Sequence, residues 1–167
     1  MRTRIRHILP PTLLLATTLL FTTCTGNKVY DHFEHAPLAG WEKNDTLIFG
    51  VPKSSITGGD YVIDLGLRIT ASYPFMGLTL VVEQTVFRQT ANADHTIFRQ
   101  QTDTVACKLI DERGNAQGAG FSHFQYRFNV SEMPLQPTDS LHIRVRHDMK
   151  REILPGLAEV GIQLYRE

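Results

Sequence analysis

From Trp41 onward, apolar and polar residues alternate nearly one for one. Tyr61, Ile63, Leu65, Leu67 and Ile69 fall on one side of a run whose other side is Val62, Asp64, Gly66, Arg68 and Thr70. Leu78, Leu80 and Val82 repeat the pattern, as do Val105, Cys107 and Leu109, and Val160, Ile162 and Leu164. Leu141, Ile143 and Val145 alternate with His142, Arg144 and Arg146. A period of two is the mark of strands with one buried face. Further strands are expected near 47–51 and 124–128, about seven to eight in all. Between them stand Pro52, Gly58-Gly59-Asp60, Tyr73-Pro74, Asp111-Glu112-Arg113-Gly114-Asn115, Gly118, Gly120, Pro134, Pro137 and Pro155-Gly156, all turn chemistry. No window of a dozen residues carries a helical period. The pattern predicts an all-β fold, an antiparallel β-sandwich, with jelly-roll and immunoglobulin-like topologies both open.

Before Trp41 the pattern changes. Arg2, Arg4 and Arg6 precede a largely apolar stretch from Ile8 to Phe21, too short for a membrane span, which needs roughly 17 to 25 residues. This is the layout of a secretory signal. Cys24 follows Leu20-Phe21-Thr22-Thr23, where a lipoprotein signal places the cysteine to be acylated, although bulky Phe21 and Thr23 loosen the match. The expected division is a signal peptide over 1–23, a lipidated tether and lead-in over 24–40, and the sandwich over 41–167. Acyl chains, at roughly 0.8 kcal/mol per buried methylene, would make the attachment at Cys24 durable.

Charge excludes some partners. Removing the signal takes away three arginines and leaves a net charge of −3, which is no footprint for nucleic acid and no polybasic membrane patch. With Cys24 acylated, Cys107 lacks an intramolecular partner, so the domain rests on its core without a disulfide framework. Cys107 itself lies in an alternating run and reads as a buried small hydrophobe.

These residues, taken in order, resemble the GldH family of gliding-motility lipoproteins of Bacteroidetes. The resemblance rests on Val29-Tyr30-Asp31, on the strand pair 61–67 and 78–82 joined through Tyr73-Pro74-Phe75, and on Asp103-Thr104-Val105. It continues through Leu109-Ile110-Asp111 with Gly114, Gly118-Ala119-Gly120, Met149-Lys150-Arg151, Leu154-Pro155-Gly156-Leu157 and Glu159-Val160-Gly161-Ile162. Ala116-Gln117 stands where the family pattern often has a Trp. The resemblance implies a lipoprotein facing the periplasm, in the inner or the outer membrane, accessory to a trans-envelope machine that moves or exports surface proteins. It implies no enzymatic activity and no cofactor, with other envelope proteins as partners.

Candidate chemistry is sparse. Asp31-His32-x-Glu34-His35 would suit a divalent metal on a helix, but no third distant ligand accompanies it, and a polar lead-in is the simpler reading. His142, Arg144 and Arg146 would hold an acidic partner or form a solvated strand face. Ser54-Ser55 and Ser122-His123 sit in no nucleophile motif. Asp45-Thr46-Leu47, Asp103-Thr104-Val105 and Asp139-Ser140-Leu141 match the Asp-hydroxyl-apolar pattern of O-glycosylation in Bacteroidetes, marking Thr46, Thr104 and Ser140. Tyr30, Phe33, Trp41 and Tyr126 are candidates for a glycan platform, the alternative to protein contacts. Finally, Tyr73, Phe75 and Met76 at a strand junction either plug the end of the sandwich or protrude as a partner surface.

Overall fold

The computed structural model describes residues 27–89 and 95–167. It contains eleven strands: β1 Lys28–His35, β2 Trp41–Glu42, β3 Leu47–Val51, β4 Gly59–Thr70, β5 Gly77–Gln89, β6 His95–Lys108, β7 Ala119–Gly120, β8 His123–Leu135, β9 Asp139–His147, β10 Ile153–Leu154 and β11 Leu157–Arg166. All pairings are antiparallel, as the alternation predicts. One sheet runs β1-β11-β4-β8-β7, the other β3-β9-β5-β6, and β2 pairs with β10 in a two-stranded ribbon. Successive long strands cross between the sheets at almost every connection. This interleaving makes a jelly roll and decides between the two topologies the sequence leaves open.

The core is the set of inward positions. Tyr61, Ile63, Leu65, Leu67 and Ile69 of β4 face Leu80, Val82, Leu141, Ile143 and Val145 of the other sheet, all buried. Burial of such side chains contributes roughly 1.5–3 kcal/mol each. The few polar groups inside are satisfied: Ser131 Oγ donates to Gln84 Oε1 at 2.6 Å, and Gln84 Nε2 donates to Asp103 Oδ2 at 2.6 Å.

Three strands extend beyond the expectation. Lys28–His35, read as a lead-in, is the edge strand β1, in register with β11 from Tyr30↔Leu164 to His35↔Glu159. In β8 a bulge follows Asn129↔Asp64, so that Ser131 rather than Val130 opposes Ile63. Buried positions thereby switch from Tyr126 to Ser131, Met133 and Leu135, and the strand continues through Pro134. Beyond the short β7, β8 is the sheet edge, where a proline's missing N–H is tolerated. The Thr- and Gln-rich first half of β6 is a strand because β5 pairs with it throughout.

Candidate functional site: the loop end of the sandwich

The two ends of the sandwich differ. At one, the chain enters β1 and leaves β11, tied by the Arg166 N–H donating to the Asn27 carbonyl at 2.8 Å. Gly59 opposite Leu135 and Arg88 opposite Asp139 also lie at this entry end. The other end gathers the connections 36–40, 71–76, 109–122 and 148–156. Those long loops carry most of the exposed large apolar side chains.

The 71–76 connection is built on a plug. Tyr73 is 5% exposed, its hydroxyl donates to the Gly77 carbonyl at 3.1 Å, and burial raises its phenol pKa. Phe75 meets it edge-on, with centroids 5.4 Å apart. Gly156, at φ 80°, passes so close that a Cβ there would lie 2.8 Å from Tyr73 Cα. Thus Tyr73 takes the plugging role and Phe75 is half-buried, while Met76 is 57% exposed. The Met76 carbonyl accepts from the N–H groups of both Leu109 and Ile110 at 3.0 Å, which fixes the strand junction beneath the exposed thioether.

Leu38 (109%), Phe121 (97%) and Ile153 (49%) join Met76 in exposure at this end. A cleft of about 750 Å³ opens beside Leu38, walled by His35, Pro37, Arg68, Thr70 and His123. Within it Glu159 is shared, paired with Arg68 and 3.3 Å from His35 Nδ1. The Thr70 and Ser72 hydroxyls stand 2.7 Å apart. A second hollow of about 360 Å³ lies beside Met76, lined by Ile110, Cys107 and Met149. Within the cleft Glu159 offsets Arg68, and Leu38, Met76, Phe121 and Ile153 stand exposed at the same end.

Beneath the loops, Trp41 is fully buried and its indole N–H donates to the Asp45 carbonyl at 3.2 Å. His147, equally buried, places Nε2 3.2 Å from the Trp41 carbonyl and packs edge-on against the indole at 5.4 Å. Burial holds the imidazole pKa below its ordinary value despite that hydrogen bond. Cys107 is buried, its thiol pushed up to about 12 by desolvation. A thiol so far from its thiolate form is chemically inert.

The other sequence-marked residues are dispersed. Cys24 lies outside the described residues. Thr46 precedes β3 and is half-buried; Thr104 is exposed within β6; Ser140 is half-buried beside Asp139. Asp139 is fully buried and bonded to Arg88 Nε and Nη2 at 2.7 and 2.9 Å. His32 and His35, three apart on a strand, face opposite ways: His32 meets Glu34 at 2.9 Å and His35 meets Glu159. Among the described residues no group of three metal-ligating side chains is placed to hold an ion. Trp41 and Tyr126 are core residues, Tyr30 packs against the core, and Phe33 lies under Arg68, so these aromatics share no exposed face. His142 and Arg144 are exposed on the outward face of β9, with Arg144 and Arg146 3.9 and 3.8 Å from Glu83.

Leu38, Phe121 and Ile153 escaped the sequence reading. A signal was present: Leu38 sits in Pro37-Leu38-Ala39-Gly40 and Phe121 in Gly120-Phe121-Ser122, large apolar residues inside turn chemistry that has no core face to offer them.

Comparison with known proteins agrees with this fold. A protein of Sulfurospirillum deleyianum is similar at TM-score 0.50 with 9% identity, over 83% of this chain and 98% of that one. The Yersinia pseudotuberculosis-derived mitogen is aligned over 83% of this chain and 85% of that one, at TM-score 0.33 and 6% identity. At 9% identity the likeness to the Sulfurospirillum deleyianum protein is one of fold alone. No curated protein sequence matches the chain. The model of the GldH lipoprotein family matches residues 28–164, from the first residue of β1 nearly to the end of β11, and the chain belongs to that family.

Proposed function

We propose that this protein is a lipid-anchored, periplasm-facing envelope component, held by acyl chains on Cys24. In this reading it is a non-catalytic accessory of gliding-motility or surface-protein export machinery, acting through protein contacts at the loop end. Membership of a gliding-motility lipoprotein family supports the setting. The observation that carries the role is the placement of Leu38, Met76, Phe121 and Ile153, all exposed, at the end opposite the chain's entry. Exposed apolar groups clustered on a small domain ordinarily serve an interface.

The test is affinity purification of the intact lipoprotein from gently solubilised envelopes, comparing wild type with the double variant Met76→Ser, Phe121→Ser. Both side chains are exposed, so melting should be unchanged while co-purifying envelope proteins disappear. A double variant that keeps every partner overturns the assignment of this surface. For the anchor, Cys24→Ser should move the protein from the membrane pellet to the soluble periplasmic fraction, and protease shaving of intact cells should leave the wild type untouched.

The same reading includes O-glycosylation at Thr46, Thr104 and Ser140. Of these, Thr104 has the most accessible hydroxyl, on the outer face of β6. Intact-mass measurement decides it, a mass equal to the lipidated polypeptide alone ending the idea.

A further inference from the structure

Cys24 stands four residues before Lys28, where β1 begins. A fully extended chain over that separation spans about 14 Å. Acyl chains on Cys24 therefore hold the entry end of the sandwich close to the bilayer, whatever path the tether takes. That same end carries an exposed apolar pair near the start of β6, Ile97 (56%) and Phe98 (51%).

We propose that the entry end rests on the phospholipid bilayer, with Ile97 and Phe98 in its interfacial zone as a second contact beside the acyl chains; this rests on the Cys24 anchor proposed above. β1 and β6 occupy opposite edges of their sheets. Three strand spacings of about 4.8 Å across, combined with about 10 Å between the sheets, separate those corners by about 17 Å, little more than the tether's reach, so one membrane plane serves both corners.

Phe98 is presented on a rigid base. The Arg88 guanidinium lies 3.5 Å over its ring. Arg88 is in turn gripped by both oxygens of buried Asp139, one of which also accepts from the Gln136 N–H at 2.8 Å. Ile97 pairs with Phe87, one step from the Arg88↔Asp139 level that closes the end of the sandwich. The ring is thus fixed at the end of the domain rather than swept about on a free loop. Exposed charges nearby are mixed, Lys53 and Arg166 with Asp60 and Glu167. The contact is accordingly one of apolar partitioning and does not depend on anionic lipid.

The experiment uses the full lipidated chain in vesicles. Cys107 is buried and Cys24 acylated, so Ile97→Cys supplies a single accessible thiol for an environment-sensitive fluorophore; Thr96→Cys, an exposed neighbour, supplies a second. Phe121→Cys labels the loop end. In phosphatidylcholine vesicles the probes at 96 and 97 should shift to the blue and be quenched by brominated lipid, equally with and without anionic lipid. The probe at 121 should stay aqueous. A blue shift at 97 without bromolipid quenching would mean a contact with another protein copy, and a probe at 97 as aqueous as that at 121 would mean a free corner; either overturns the proposal. Failure of the lipidated chain to float with the vesicles would overturn the anchor itself and the orientation with it, a result separable from the other two.

Discussion

Phe33 stands directly opposite Gly161 across the β1–β11 ladder, and its ring rests on that glycine and on Gly66 of the next strand. A Cβ at Gly161 would lie 2.5 Å from the ring, and one at Gly66 2.6 Å. The Arg68 guanidinium covers the ring at 4.2 Å. Two strand glycines, normally a weakness, thus create the flat bed on which an edge strand is seated.

Gly161→Ala should therefore destabilise by about 1–3 kcal/mol, because the ring must be displaced by overpacking. In Phe33→Ala the alanine at 161 meets no ring. The double variant should lose less than the sum of the singles, with a coupling of about 0.5–3 kcal/mol. Urea unfolding of the four proteins measures it, and strict additivity would show that the ring does not press on Gly161.

The Arg88–Asp139 pair should be asymmetric. Arg88 keeps 22% side-chain exposure and Asp139 none, so Arg88→Met strands a carboxylate in the interior while Asp139→Asn leaves an arginine that reaches water. The first should cost about 3–5 kcal/mol and the second clearly less. Burial acts to raise the Asp139 pKa, but the Arg88 side chain and the Gln136 N–H together hold it below the usual carboxylate range. Its contribution is present above the unfolded value of about 3.9 and is lost as pH falls through the lower folded value. Asp139→Asn should flatten the acid limb of the stability curve below about pH 4.

A second pH window belongs to His147. Its folded pKa is lowered chiefly by burial, so the unfolded chain binds a proton more readily. Stability should be full above about pH 6.5 and decline as the solution is acidified below it. His147→Gln removes the titrating group. Melting temperatures measured between pH 7.5 and 5 should decline less for the variant, and an identical decline would assign the effect to other groups.

The 71–76 loop should divide by depth. Tyr73→Ala opens a cavity at the sandwich end and should cost about 3–5 kcal/mol. Met76→Ala, at an exposed position, should stay within about 0.5 kcal/mol. Differential scanning calorimetry separates the two, and equal melting temperatures would contradict the plugging role given to Tyr73.

Alternation along β4, β5, β9 and β11 was enough to name the strands, their buried residues and the antiparallel all-β class, because one side of each strand meets the core and the other meets water. The ordered set of short motifs was likewise enough for the family. β3 and the segments 105–108 of β6 and 124–128 of β8 were legible as well, whereas β1 and the rest of β6 and β8 were not, for specific reasons. In β1 the outward Phe33 is apolar because it sits on Gly161 and Gly66, and the inward His32 is polar, so the period is scrambled by contacts distant in sequence. In β8 the bulge shifts the inward set by one residue, and a period of two cannot be read across it. In β6, Gln101 and Asp103 point into a hydrogen-bonded bridge rather than an apolar core. Topology, and with it the placement of Met76, Phe121, Leu38 and Ile153 at one end and Ile97 and Phe98 at the other, was decided only by tertiary structure. Local patterning sets which face of a strand is buried, but which strands become neighbours depends on how the two sheets close over a shared core.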